Sequence, residues 1–183
     1  MAETAETIVN SGETMYASER LIAAFNAQIA HEMGASIQYI ASAAYFDSAA
    51  LPELASFFYR QADEERMHAM KFVKFVVDVG GRVDIPAIAK SKCDFASAEE
   101  AAQLALQWEK QVTQQIYDLL DIAVEDKNHI ARRFLDWFVD EQLEEMSSMG
   151  NLLQVIQRAG TDRLLSVENF LSREGGKPNP GGA

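Results

Sequence analysis

The chain has few of the residues that interrupt helices and almost none that cross-link a fold. Its 183 residues include 4 prolines, at Pro52, Pro86, Pro178 and Pro180, so long stretches are free to be helical. A single cysteine, Cys93, excludes an intrachain disulfide, and nothing else asks for an oxidising compartment. Basic residues are scarce: Lys and Arg number 16 against 28 Asp and Glu, for a formal net charge of -12 at pH 7. That surface repels polyanions and attracts cations, so neither nucleic acid nor membrane is expected as a partner. The stretch MAETAETIVNSGET has no basic segment ahead of an apolar core and does not read as a secretory signal. No apolar run spans a bilayer, the charge-free stretch between Glu32 and Asp47 being too short. A cytoplasmic protein is the expectation.

Apolar residues make up 48% and charged residues 24%, proportions that exclude wholesale disorder and allow one domain with a sizeable core. One domain is expected over 16–174, between a flexible tail at 1–15 and a disordered Gly- and Pro-rich tail at 175–183. Helices are predicted over 18–46, from Pro52 to the Gly80-Gly81 stop, from a capping box at Ser97 and Glu100 to Asp126, and from the 127–129 turn to Gly160. A shorter fifth helix, capped by Thr161 or Asp162, runs through Glu174. Four long helices of nearly equal length predict a bundle. Short first and third links make antiparallel neighbours, whereas the link over 82–95 is long enough to cross the bundle and make the second and third helices parallel.

Alternating spacings of three and four residues define the core stripe of each helix. The first carries Phe25, Ile29, Glu32, Ser36, Tyr39, Ala43 and Phe46. The second carries Leu54, Phe58, Gln61, Glu65, His68, Phe72, Phe75 and Val79. The third reads Ala102, Ala105, Glu109, Val112, Ile116, Leu119 and Ala123, and the fourth Leu135, Phe138, Gln142, Glu145, Met149, Leu152 and Ile156. Each stripe is apolar except at its centre, and helices of equal length bring their centres to one level. Glu32, Glu65, His68, Glu109, Gln142 and Glu145 therefore converge on one layer with no Lys or Arg. Unpaired carboxylates out of water are costly unless they share protons or bind a cation. A single such Glu could set helix register instead, but four helices breaking pattern at one height favour the cation. Carboxylates with one imidazole and no thiolate suit Fe, Mn or Mg better than structural Zn. Their number exceeds the need of one ion, with Glu65 placed to bridge two.

The stretches FNAQIAHEMGASIQY, ADEERMHAM and WFVDEQLEE, with the isolated Glu109, resemble the ferritin family, most closely bacterial non-haem ferritins of the actinobacterial type. The resemblance covers about 16–174 and implies a ferritin-like four-helix bundle with a long crossover and a short fifth helix, assembled as a homo-oligomer of 24 subunits. It implies a di-iron ferroxidase centre in which Glu32, Glu65 and His68 hold the first iron and Glu109 the second. Gln142 would orient a water or dioxygen, and Tyr39 would donate a hydrogen bond or an electron if it is not simply a core aromatic. A third iron site would use Glu64, Glu141, Glu144 and Glu145, although Glu64 and Glu141 lie one residue off the stripes and could equally be solvated acids.

Haem is not expected. Where the haem-containing members place a methionine directly after the helix-two glutamate, this chain has Arg66, and its fourth helix lacks their second histidine. Trp137 is read as packing, His31 as an exposed helix residue and His129 as part of a turn. The fifth helix either packs around a four-fold axis or folds back on its own bundle. The resemblance implies iron storage with Fe2+ oxidised by O2 or hydrogen peroxide. The alternatives are a non-catalytic storage cage and a di-metal carboxylate oxidase acting on another substrate.

Overall fold

The computed structural model describes residues 16–174, and the expected tails at 1–15 and 175–183 lie outside the described residues. Its helices are α1 (Glu19–Ser48), α2 (Pro52–Asp78), α3 (Ala98–Glu125), α4 (His129–Ala159) and α5 (Leu164–Glu174), with a 3-10 turn at Thr161–Arg163 before α5. The fold is an all-α four-helix bundle with a short fifth helix, as the patterning predicts.

Local chemistry sets the helix ends. The Ser18 hydroxyl accepts from Leu21 N–H, Ser97 from Glu100 N–H and Asn128 from Ala131 N–H, each satisfying a first-turn donor. Glu100 reaches back one residue further than a standard capping box, to the Ala96 N–H. α2 ends in a Schellman turn: Gly80, at φ 77, donates to Val77 and Gly81 to Val76. The same turn closes α1 and α3, but there Ala50 and Lys127 hold the left-handed position. The start of α2 has no cap of its own, because Leu51 offers no side-chain acceptor. Glu168 of α5 supplies one from a distance, its carboxylate accepting from Glu53 N–H at 2.8 Å and Leu54 N–H at 2.9 Å.

Two apolar clusters make the core. One combines Leu54–Ala62 of α2 and Ala98–Ala105 of α3 with the C-terminal halves of α1 and α4; the other combines Ala69–Val79 and Val112–Ala123 with their N-terminal halves. α2 and α3 therefore run parallel, as the long crossover requires, and every predicted stripe residue is buried. Side chains of α5 enter the first cluster through Val167 and Leu171. The fifth helix thus folds onto its own bundle while Leu165 and Phe170 face outward.

The crossover from α2 to α3 contains no regular structure, yet it covers a second face of α1 that the single-stripe pattern does not anticipate. Two buried amides staple it down. Asn26 donates to Arg82 O and accepts from Asp84 N–H, both at 2.9 Å. Gln38 donates to Lys92 O at 2.9 Å and accepts from Lys92 N–H at 2.8 Å. Each amide satisfies both polar groups of an otherwise unpaired strip of backbone.

The Glu168 clamp predicts that Glu168→Ala will cost about 1 kcal/mol, the scale of a lost N-cap. Hydrogen exchange should accelerate at Glu53 and Leu54 and throughout α5. Unchanged protection there would show that the clamp does not hold the fifth helix.

Candidate metal centre

Between the two apolar clusters lies a single polar layer. Glu32, Glu65, His68 and Glu109 are fully buried, and Gln142 and Glu145 nearly so. α1 supplies Glu32, α2 Glu65 and His68, α3 Glu109, and α4 Gln142 and Glu145, because those are the midpoints of the four stripes. Aromatic rings wall the layer on both sides. Phe72 stacks on Phe138 at 4.3 Å with His68 edge-on to Phe138, and Tyr39 and Phe46 pack against Phe58 on the other side. Among the described residues, no lysine or arginine pairs with any of the four buried carboxylates.

The ligand-capable atoms fall into three overlapping groups, each with atoms within 4.8 Å of one another: Glu32, Glu65 and His68; Glu65, Glu109 and Glu145; and His68, Glu141 and Glu145. Glu65 belongs to the first two and Glu145 to the last two. Like charges at that spacing repel by about 3 to 4 kcal/mol per pair at an effective dielectric near 20. Burial, reinforced by neighbouring carboxylates, therefore holds Glu32 and Glu65 well above the usual carboxylate range. The same causes push Glu109 to about 7 and Glu145 to about 8. Burial would lower the His68 imidazole, but Glu141, Glu32 and Glu145 together outweigh it and leave His68 raised.

Hydrogen bonds leave these side chains unequal. Gln28 donates to Glu32 Oε1 at 2.9 Å, and the Tyr39 hydroxyl donates to Glu109 Oε1. Among the described residues, the second oxygens, Glu32 Oε2 and Glu109 Oε2, have no partner, and neither oxygen of Glu65 has one. Both His68 nitrogens are likewise unpartnered, Nδ1 lying 3.4 Å from Glu65 and Nε2 3.6 Å from Glu141 without hydrogen-bond alignment. A layer in which oxygens of Glu32, Glu65, Glu109 and Glu145 and an imidazole lone pair are all without partners fits a cation.

The other predicted residues are placed unevenly. Glu141 is half-buried and joins His68 and Glu145. Glu64, also half-buried and raised chiefly by burial, accepts from Gln61 beside the layer and belongs to none of the three groups. Glu144 is exposed, because it precedes Glu145 by one residue and so lies about 100° around the helix. His31 is half-buried rather than exposed, and burial lowers its pKa. His129 is the exposed first residue of α4. Trp137 lies edge-on to His68 at 5.5 Å with the Lys71 ammonium 3.9 Å from its ring centre, so it braces the imidazole as well as packing. The stripe reading passed over Gln28 and Thr113. The signal available for both was a polar residue one helical turn from a candidate ligand, at i−4 from Glu32 and i+4 from Glu109.

Comparison with known proteins decides the family. Residues 22–159 match the family described as Ferritin-like domain. The chain belongs to the ferritin family. It is 43% identical over 147 residues to Ferritin BfrB of Mycolicibacterium smegmatis, covering 80% of this chain and 81% of that one. Over 145 residues it is 38% identical to the bacterial non-heme ferritin of Staphylococcus aureus, covering 79% of this ferritin and 87% of the relative. Among solved structures, an open pore ferritin from the archaeon Archaeoglobus fulgidus superposes with a TM-score of 0.83 at 33% identity, covering 86% of this chain and 98% of that chain. No described helix is long and apolar enough to cross a membrane.

The raised carboxyls set a pH dependence for the metal-free ferritin. Their unfolded value is 4.5 and the folded Glu109 and Glu145 titrate at about 7 and about 8, so the native state binds more protons across that interval. Stability is then fully present below about pH 4.5 and is lost as pH rises through about 8; the raised His68 acts in the same sense. The melting temperature of the metal-free protein should fall from about pH 5 to about pH 9, fall less in Glu145→Gln, and stay level with excess Zn2+, which replaces the protons. A metal-free melting temperature that is flat or rises over that range would contradict the assignment.

Proposed function

We propose that this ferritin is a ferroxidase and iron store that binds two Fe2+ ions within each subunit and oxidises them with O2 or hydrogen peroxide. The Fe3+ is deposited as mineral inside a 24-subunit shell in the cytoplasm. The observation that carries this reading is the buried layer of four carboxylates and one histidine with oxygens and nitrogens that lack partners among the described residues. Glu32, Glu65 and His68 hold the first Fe2+, and Glu65, Glu109 and Glu145 the second. Glu65, with both oxygens untethered, bridges them.

Binding displaces the protons that the carboxyls retain when the layer is empty of cations. Each Fe2+ then gives up one electron. With O2, two electrons and two protons yield hydrogen peroxide; with hydrogen peroxide, they yield two waters. The carboxylate-rich set favours this direction because it stabilises Fe3+ more than Fe2+. His68, Glu141 and Glu145 form the way out, Glu141 being the member that reaches toward solvent. Glu64 and Glu144 extend that acidic path, and Gln142 borders the second iron. Tyr39 orients Glu109 through the hydroxyl it donates.

Stopped-flow oxidation of Fe2+ in air tests the centre. Outer-sphere changes alone cost 10–100-fold in metal sites, so Glu65→Ala combined with His68→Ala should slow oxidation by more than about 100-fold in protein that still assembles. Native rates in that variant would overturn the site assignment. Elution of the native protein as a monomer or dimer would overturn the shell.

A further inference from the structure

Thr113 stands one turn past Glu109 on α3 and faces Gln142 of α4. Its hydroxyl oxygen lies 2.7 Å from the Glu109 carbonyl oxygen and 2.8 Å from Gln142 Oε1. Two oxygens at such distances need a proton between them, and a hydroxyl has only one to give. Both contacts cannot be O–H···O bonds. A threonine hydroxyl on a helix commonly donates to the carbonyl four residues back, which accounts for the first contact. The second then requires a donor on Gln142. The amide nitrogen and oxygen are exchangeable by a half-turn of the amide group, and Gln142 Nε2 is at present a buried nitrogen without a partner.

We infer that Gln142 donates its amide N–H to Thr113 and presents its carbonyl oxygen to the carboxylate layer, and that Thr113 is the positioning residue that fixes this polarity. The relay then runs in one direction, from Gln142 Nε2–H to Thr113 Oγ1 and from Thr113 O–H to the Glu109 carbonyl. The turn satisfies the orphaned nitrogen. It also leaves no amide N–H directed at the layer, and adds one neutral amide oxygen to the unpartnered carboxylate oxygens there. Facing inward, that oxygen can contact the second cation, beside Glu109 and Glu145, or accept a hydrogen bond from water bound there. It cannot donate a hydrogen bond to dioxygen. The cation contact rests on the ferroxidase reading above, whereas the amide polarity does not.

Neutron diffraction on deuterated, metal-free crystals reads the polarity directly. Amide deuterons of Gln142 against Thr113 Oγ1 support the inference; deuterons pointing into the layer overturn it, whatever the protein does with iron. Calorimetric titration with Zn2+, which is redox-inert, reads the consequence. Thr113→Val keeps the shape and removes the hydroxyl. It should weaken the second Zn2+ about tenfold while leaving the first unchanged, in line with losses seen when a ligand's support is removed, and Thr113→Ser should restore native affinity. Equal weakening of both ions, or failure of serine to restore the second, would overturn the positioning role. Native protein that binds no pair of Zn2+ ions would count against the two-metal reading itself, leaving the polarity to stand or fall on the deuterons.

Discussion

Mutual repulsion among Glu32, Glu65, Glu109 and Glu145, enclosed between two aromatic-walled apolar clusters, is the constraint on which the rest of the structure depends. An ordinary core would not tolerate it. Filling the layer with aliphatic side chains would stabilise the bundle, since buried charges rarely repay their desolvation. Protons meet the cost in a layer free of cations, and a bound cation would meet it in their place. Everything else serves to hold four helix midpoints at one height: the parallel placement of α2 and α3, the stapled crossover and the long apolar stripes to either side.

The groups around the carboxylates differentiate otherwise similar side chains. Gln28 and Tyr39 each tie up one oxygen of a glutamate and leave the other inward, so Glu32 and Glu109 each offer the layer one untethered oxygen. Glu65 has no such tether, which suits it to reach two ions at once. Trp137, pressed edge-on to His68 and capped by Lys71, restricts the imidazole from the side. The layer is thus asymmetric: Glu32 and Glu109 are each tethered at one oxygen, Glu65 at none, and its one histidine is braced by Trp137.

Much of this was legible in the sequence because helical periodicity is a direct report of burial. The apolar stripes locate the helices, the interruptions at Glu32, Glu65, Glu109 and Glu145 locate the polar layer, and the lengths of the links give the topology. The crossover side of α1 was not legible: nothing in a bundle pattern announces an irregular segment tied to Asn26 and Gln38, and His31, read as exposed, is half-buried. Glu168 was equally hidden, since its partners lie more than a hundred residues away and the missing cap at Leu51 is visible only as an absence. Glu64, Glu141 and Glu144 mark where helical periodicity stops distinguishing one acid from another. Three acids off the stripe look alike in sequence, and packing alone makes one a neighbour of His68, one a partner of Gln61 and one a surface residue.

Anomalous diffraction from crystals soaked anaerobically in Fe2+ tests the central claim most directly, because it locates cations without reference to turnover. Two peaks should appear in the layer, one among Glu32, Glu65 and His68 and one among Glu65, Glu109 and Glu145, with Glu65 touching both. A layer without peaks, while the exposed acids of the surface bind iron, would show that the buried carboxylates are neutralised by protons alone and that the metal centre does not exist.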